Sequence, residues 1–89
     1  MASLQVCFLV TASYAENAEQ ARAPHREKHL ERLSKLSTEG ALLFAGAADD
    51  LSASVLVFAV ENDEAVKAIV ETDIYMRNGI WTDFTVTKL

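Results

Sequence analysis

Cysteine is nearly absent: the 89 residues hold Cys7 alone. One cysteine excludes an internal disulfide framework and points to a reducing compartment. Cys7 lies in an apolar strand pattern with no basic neighbour to activate it, so it reads as packing rather than as a nucleophile. Histidine is almost as scarce. His25 and His29 stand four apart on one helix face, a spacing a metal accepts, but no third histidine or cysteine is at hand. The glutamate that follows the first histidine of a zincin helix is also missing, so neither a metal nor another cofactor is expected. No Gly-rich phosphate loop and no Gly-x-Ser-x-Gly elbow occurs, which argues against nucleotide binding and serine hydrolysis.

Positive charge is in deficit, with 8 Lys and Arg against 13 Asp and Glu and a net charge of −5. Arg22, Arg26, Lys28, Arg32 and Lys35 are the main concentration, and they are interleaved with glutamates. Nucleic acid is therefore not an expected partner. No apolar run approaches the roughly 18 residues of a membrane span. The start of the chain lacks the basic segment and long apolar stretch of a secretion signal, so the expected location is cytoplasmic. There is no internal repeat and no low-complexity segment.

What is present is a globular composition, 51% hydrophobic and 24% charged, in a length that makes one domain near the lower limit for an unaided core. Leu4 to Thr11 is short, β-branched and aromatic, and reads as strand 1. Ser13 to Ala23 is a polar, alanine-rich connection with room for a helical turn. Pro24, the only proline, then supplies a fixed φ for a helix running from about Pro24 to Glu39, with Gly40 as its stop. Ala41 to Ala45 and Ala53 to Val60 read as strands 2 and 3, joined through a small polar turn as a hairpin. Asn62 caps a second helix that carries Asp63 and Glu64 in its first turn and ends near Glu71 or Thr72. Asp73 to Gly79 is a connector, and Ile80 to Lys88 is strand 4.

The order β-α-β-β-α-β is that of the ferredoxin-like split βαβ unit, an α+β fold with a four-stranded antiparallel sheet and both helices on one face. Strand 3 is apolar on both of its faces, so the sheet needs a second cover once the helices are used. The same sheet of another copy is the expected cover, giving a homodimer.

The first helix carries the most informative side chain. At about 100° per residue, Leu33 lies some 40° to one side of His29 and Leu36 about 20° to the other, so the histidine points where the leucines point. Glu27, Lys28, Glu31, Ser34 and Lys35 fill the rest of the wheel. An imidazole at the margin of a core needs a partner. Arg26 is placed to hold an anionic substrate group, or else to form a salt bridge within the helix or across a dimer. Tyr75 and Trp81 either line an aromatic pocket or close the core with their polar atoms outward, and the second role is the expected one.

Arg26-Glu27-Lys28-His29-Leu30, then Gly40 ahead of an apolar strand ending in Ala45-Gly46, then Asp73-Ile74-Tyr75 shortly before Gly79 together resemble the YciI (YCII-related) proteins of the dimeric α/β-barrel group. The resemblance spans roughly residues 4 to 88. It departs where the family often has proline, here Ile74 and Ala47, and where a glycine usually precedes strand 3, here Leu51-Ser52-Ala53. The resemblance implies a dimeric barrel with His29 and Asp73 as a catalytic pair in a cleft. It also implies a hydroxylated ring as substrate, since a characterised relative removes chloride from one.

The chemistry of such a pair is general acid–base: a carboxylate on one ring nitrogen fixes the tautomer and leaves the other nitrogen free to exchange a proton near neutral pH. Two functions follow. One is a cofactor-independent lyase- or isomerase-like enzyme acting on a small hydroxylated cyclic or aromatic molecule, with His29 and Asp73 catalytic and Arg26 and Tyr75 binding substrate. The other is a non-catalytic ligand-binding or structural dimeric module in which His29 and Asp73 form an internal strut. A cleft with His29 in its wall separates the two, because a strut has no cavity beside it.

Overall fold

The fold was obtained as a computed structural model, and it describes residues 5–89. The elements are β1 (Phe8–Tyr14), α1 (Ala18–Arg22), α2 (Arg26–Thr38), β2 (Leu42–Ala47), β3 (Ala53–Phe58), α3 (Asp63–Glu71), α4 (Ile74–Arg77) and β4 (Trp81–Lys88). The four strands form one antiparallel sheet in the order β2-β3-β1-β4. This is the ferredoxin-like arrangement, with two short helices added to the two long ones. No helix among the described residues is long and apolar enough to cross a membrane.

The first strand runs later in the chain than its apolar pattern suggests, from Phe8 to Tyr14 rather than from Leu4 to Thr11; Leu4 itself lies outside the described residues. Partners decide the boundary. Phe8 pairs with Phe58 on one side and with Lys88 on the other, and beyond them the neighbouring strands end, leaving Val6 55% exposed. At the other end Ala12 is small enough to be fully buried between Ser54 and Phe84. Strand 3 likewise stops at Phe58, two residues short of Val60.

Phe8, Val10, Ala12, Leu56 and Phe58 face the helices and form the core with Val66 and Val70 of α3. Their neighbours Leu9, Val55 and Val57 lie on the opposite face and are half-buried. Two bulges break the alternation. Between Leu42 and Phe44 the register slips past Leu43, so Leu42 is buried with the helix-facing residues while Phe44 pairs with Val57 and is 57% exposed. Between Ser13 and Tyr14 the register of β4 slips past Thr82, so that Trp81 pairs with Tyr14 and is buried. A bulge re-aims side chains in this way because the extra residue shifts every later one to the other face.

Helix boundaries follow local chemistry. Asn62 accepts a hydrogen bond from the Ala65 N–H and caps α3, and α2 ends at a Glu39 cap followed by Gly40, whose φ of +84° suits glycine. In α2 the only buried residue is His29, while Leu33 and Leu36 are partly buried and Leu30 is exposed.

Candidate active site

The segment after α3 is a one-turn helix rather than an open connector, and Asp73 is its N-cap. Asp73 Oδ1 accepts from the Tyr75 N–H at 2.9 Å, satisfying one of the unpaired donors that begin a helix. The same oxygen lies 2.8 Å from His29 Nδ1. The other oxygen is 3.5 Å from Arg32 Nη1, a guanidinium also fixed by the Ile69 carbonyl and the Thr72 hydroxyl, each at 2.8 Å. One buried carboxylate thus joins α2 to α4, with each neighbour acting as a donor toward it.

Because Oδ1 is an acceptor, Nδ1 of His29 is the donor, and the neutral ring keeps its lone pair at Nε2. Among the described residues Nε2 has no hydrogen-bond partner. Aromatic contacts hold the ring's plane: Tyr75 stacks on it with centroids 3.7 Å apart and planes 6° from parallel, and Trp81 meets it nearly edge-on at 5.2 Å. Trp81 also meets Tyr75 edge-on at 5.5 Å, which closes a three-ring cluster.

His29 stands in the wall of a cleft of about 190 Å³ between α2, the α1–α2 corner and the β2 edge. Arg26 and Tyr75 line the same cleft, so three of the four side chains expected at the site meet there, and Asp73 touches it through His29. The cleft is small beside the roughly 300–1,000 Å³ of pockets for drug-sized ligands, and nearer the scale of a cavity of about 150 Å³ that holds benzene. Burial pushes the Tyr75 phenol above its ordinary pKa of 10.0, and the nearby Arg22 and Arg26 guanidiniums act in the opposite sense. The phenol is therefore a proton donor at neutral pH.

Trp81 departs from expectation in one respect. It closes the core, but its indole nitrogen is a buried polar atom without a hydrogen-bond partner among the described residues. The bulge at Thr82 is the reason, since plain alternation along β4 would turn Trp81 to the open face. Among the described residues no three His, Cys, Asp or Glu side chains are gathered as metal ligands; His25 serves as the N-cap position of α2.

Four residues at the site were missed by the sequence reading: Arg32, and the cleft-lining Arg22, Tyr14 and Ser54. Arg32 follows His29 by three positions and so shares its side of the helix, a signal that was available. Arg22 sat in a segment read only as a connection. Tyr14 and Ser54 depend on strand register, Ser54 being buried opposite both Ala12 and Ala47 with its hydroxyl donating to the Gly46 carbonyl at 3.3 Å.

Residues 6–89 match the YCII-related domain. A curated protein of Haemophilus influenzae, itself described as uncharacterized, is 32% identical over 89% of this chain and 91% of its own length. Among solved structures, the 5-chloro-2-hydroxyhydroquinone dehydrochlorinase of Burkholderia phenoliruptrix, in complex with 2,5-dihydroxybenzoquinone, superimposes with a TM-score of 0.80 over 93% of this chain and 92% of that one, at 22% identity. At that identity the likeness is one of fold.

Proposed function

We propose that this chain, which belongs to the YCII-related domain family, is a cofactor-independent acid–base enzyme acting on a small hydroxylated ring compound. The observation that carries the reading is that His29, tied to Asp73 through Nδ1, stands in the wall of a cleft: a histidine serving only as a strut between helices needs no cavity beside it. The neighbour of the same fold that binds a dihydroxylated quinone supports the choice of ligand.

In this reading His29 Nε2 takes a proton from a ring hydroxyl or an adjacent carbon, and the freed electron pair stays on the ring. Asp73 stabilises the imidazolium so formed and keeps Nδ1 protonated throughout. The proton then returns to another ring position, an isomerisation, or the electron pair expels a leaving group as an anion and the His29 proton passes to solvent, an elimination. Arg26 and Tyr75 hold the substrate, the first by charge and the second by its phenol. The site needs a low-dielectric surround, and the Tyr75 and Trp81 rings supply it on the inner side.

The working form is a homodimer joined through the open sheet face, where Leu9, Val55, Val57 and the exposed Phe44 present apolar surface that no helix covers. Its compartment is the cytoplasm, where Cys7 stays reduced.

The test is a screen of hydroxylated and chlorinated arenes for solvent deuterium uptake into the ring or chloride release, comparing the parent with His29→Gln. A general acid–base group contributes about 100- to 10,000-fold, so the variant should lose at least about 100-fold while remaining folded. Equal rates in the two proteins would remove His29 from the chemistry.

A further inference from the structure

The chain is an acidic protein, with 13 Asp and Glu against 8 Lys and Arg, yet the cleft wall beside His29 carries two arginines, Arg22 and Arg26, and no carboxylate. Arg22 is the last residue of α1 and Arg26 the first of α2, and the tight corner at Pro24 between them is closed by the His25 N–H donating to the Arg22 carbonyl at 2.9 Å. Glutamates are near in sequence, Glu19 on α1 and Glu27 on α2. Even so, neither arginine makes an ion pair among the described residues. Arg32, three positions beyond His29 on the same helix, is the contrast: it is bound by a carbonyl, a hydroxyl and Asp73. Two guanidiniums are thus left free at the one concave place where a buried histidine meets open space.

We infer that the cleft is selective for a small planar anion, a single ring bearing a carboxylate or an ionised hydroxyl, whose negative oxygens are held by Arg22 and Arg26 while the ring lies against His29. This deepens the reading given above and rests on it for placing the substrate in this cleft. Three observations converge on it. A guanidinium presents a planar fork of donors that matches a carboxylate, and two of them at a corner hold one anion from two directions. The cleft volume suits one ring, and Leu30 and Leu33 give it apolar contact while the Tyr14 and Tyr75 phenols add donors. Both arginines act electrostatically on the Tyr75 phenol, which stacks on His29, so their field reaches the position where a ring over His29 would sit. Arg22 becomes a specificity-determining residue: it discriminates an ionised ligand from its neutral isostere.

Matched probes decide the matter. Benzoate and 4-hydroxybenzoate are titrated into isotope-labelled protein beside benzamide and 4-hydroxybenzamide, which have nearly the same shape and no charge, and amide shifts of cleft residues are followed by NMR. The carboxylates should bind at least about tenfold more tightly than the amides, and more weakly as salt rises. Arg22→Gln and Arg26→Gln should each lose roughly tenfold in carboxylate affinity and nothing in amide affinity. Arg22→Lys should recover part of that loss, and Lys28→Gln, the same charge change at an exposed site on α2, should be silent. The NMR spectrum itself reports that each variant is folded. Equal binding of carboxylates and amides, carboxylate binding indifferent to Arg22→Gln, or no cleft response to either class at millimolar concentration would overturn the inference. Its fate is separable from that of the enzyme reading. Anions held by the arginines without any His29-dependent turnover would leave the anion site standing and the enzyme reading without support. His29-dependent turnover of neutral arenes, with no advantage for anions, would do the reverse.

Discussion

Tyr75 lies flat on His29, ring over ring at 3.7 Å, and its own backbone N–H is bonded to the carboxylate that holds His29 Nδ1. One residue of α4 therefore fixes the imidazole twice, through its ring directly and through Asp73 indirectly. That double hold explains why an otherwise short helix, Ile74–Arg77, follows the aspartate. It also sets what substitutions in this cluster should do.

Asp73→Ala leaves three donors facing an emptied, buried position, so it should destabilise the chain by roughly 3 kcal/mol. Asp73→Asn keeps an acceptor for the Tyr75 N–H and should cost about 1 kcal/mol while lowering any turnover far more. Urea unfolding of the two variants measures the difference; equal costs would mean that the charge, not the helix cap, is all that Asp73 provides.

Stability at alkaline pH should report Tyr75. Its pKa in the folded chain is raised above the ordinary 10.0, chiefly by burial, so the unfolded chain ionises this phenol first. The contribution is fully present below the unfolded pKa and is lost as pH rises through the folded one. Unfolding midpoints of the parent should therefore fall more steeply above about pH 10 than those of Tyr75→Phe, which keeps the stacked ring and has no phenol to titrate. Parallel curves would show that the phenol titrates normally.

Gly40 isolates a backbone effect. Its φ is +84°, and a Cβ there would meet nothing within 4 Å, so Gly40→Ala introduces strain without a clash. The expected loss is about 1–2 kcal/mol, readable in a thermal melt. A neutral outcome would mean that the chain leaves α2 by another route.

For the dimer, Phe44 is the probe, since it is 57% exposed in the single chain and sits on the open face opposite Val57. Phe44→Glu should leave the fold intact and shift sedimentation from dimer to monomer at micromolar concentration. A parent that is already monomeric would contradict a sheet-to-sheet assembly. Leu56 and Phe58 are unsuitable for this purpose, because both face the helices and are buried there.

Much of this molecule was legible in the sequence. The β-branched runs, the Asn62 cap and the Gly40 stop located the long elements because each depends on neighbours in the chain. His29 was legible because α2 has charged residues enough for its outer side, so a histidine between Leu33 and Leu36 marks the inner one. The bulges were not legible. Trp81 reaches the core only because β4 slips past Thr82, and that slip depends on pairing with Tyr14 far away in the chain. The first strand was misplaced for a similar reason, since Val6 qualifies as strand locally but has no register partner in the sheet, which begins its pairing at Phe8. Asp73 as the cap of a one-turn helix was hidden because four residues are too few to show a period.

The central claim is that His29 carries its proton on Nδ1 toward Asp73 and offers Nε2 to a ligand in the cleft. Nitrogen NMR of the labelled imidazole tests this directly, during titration with hydroquinone and with its carboxylated and chlorinated derivatives. The account predicts a protonated Nδ1 that stays constant and an unprotonated Nε2 whose resonance moves as a ligand hydroxyl binds. A proton on Nε2 in the free protein, or an Nε2 signal that no member of the series moves, would contradict it.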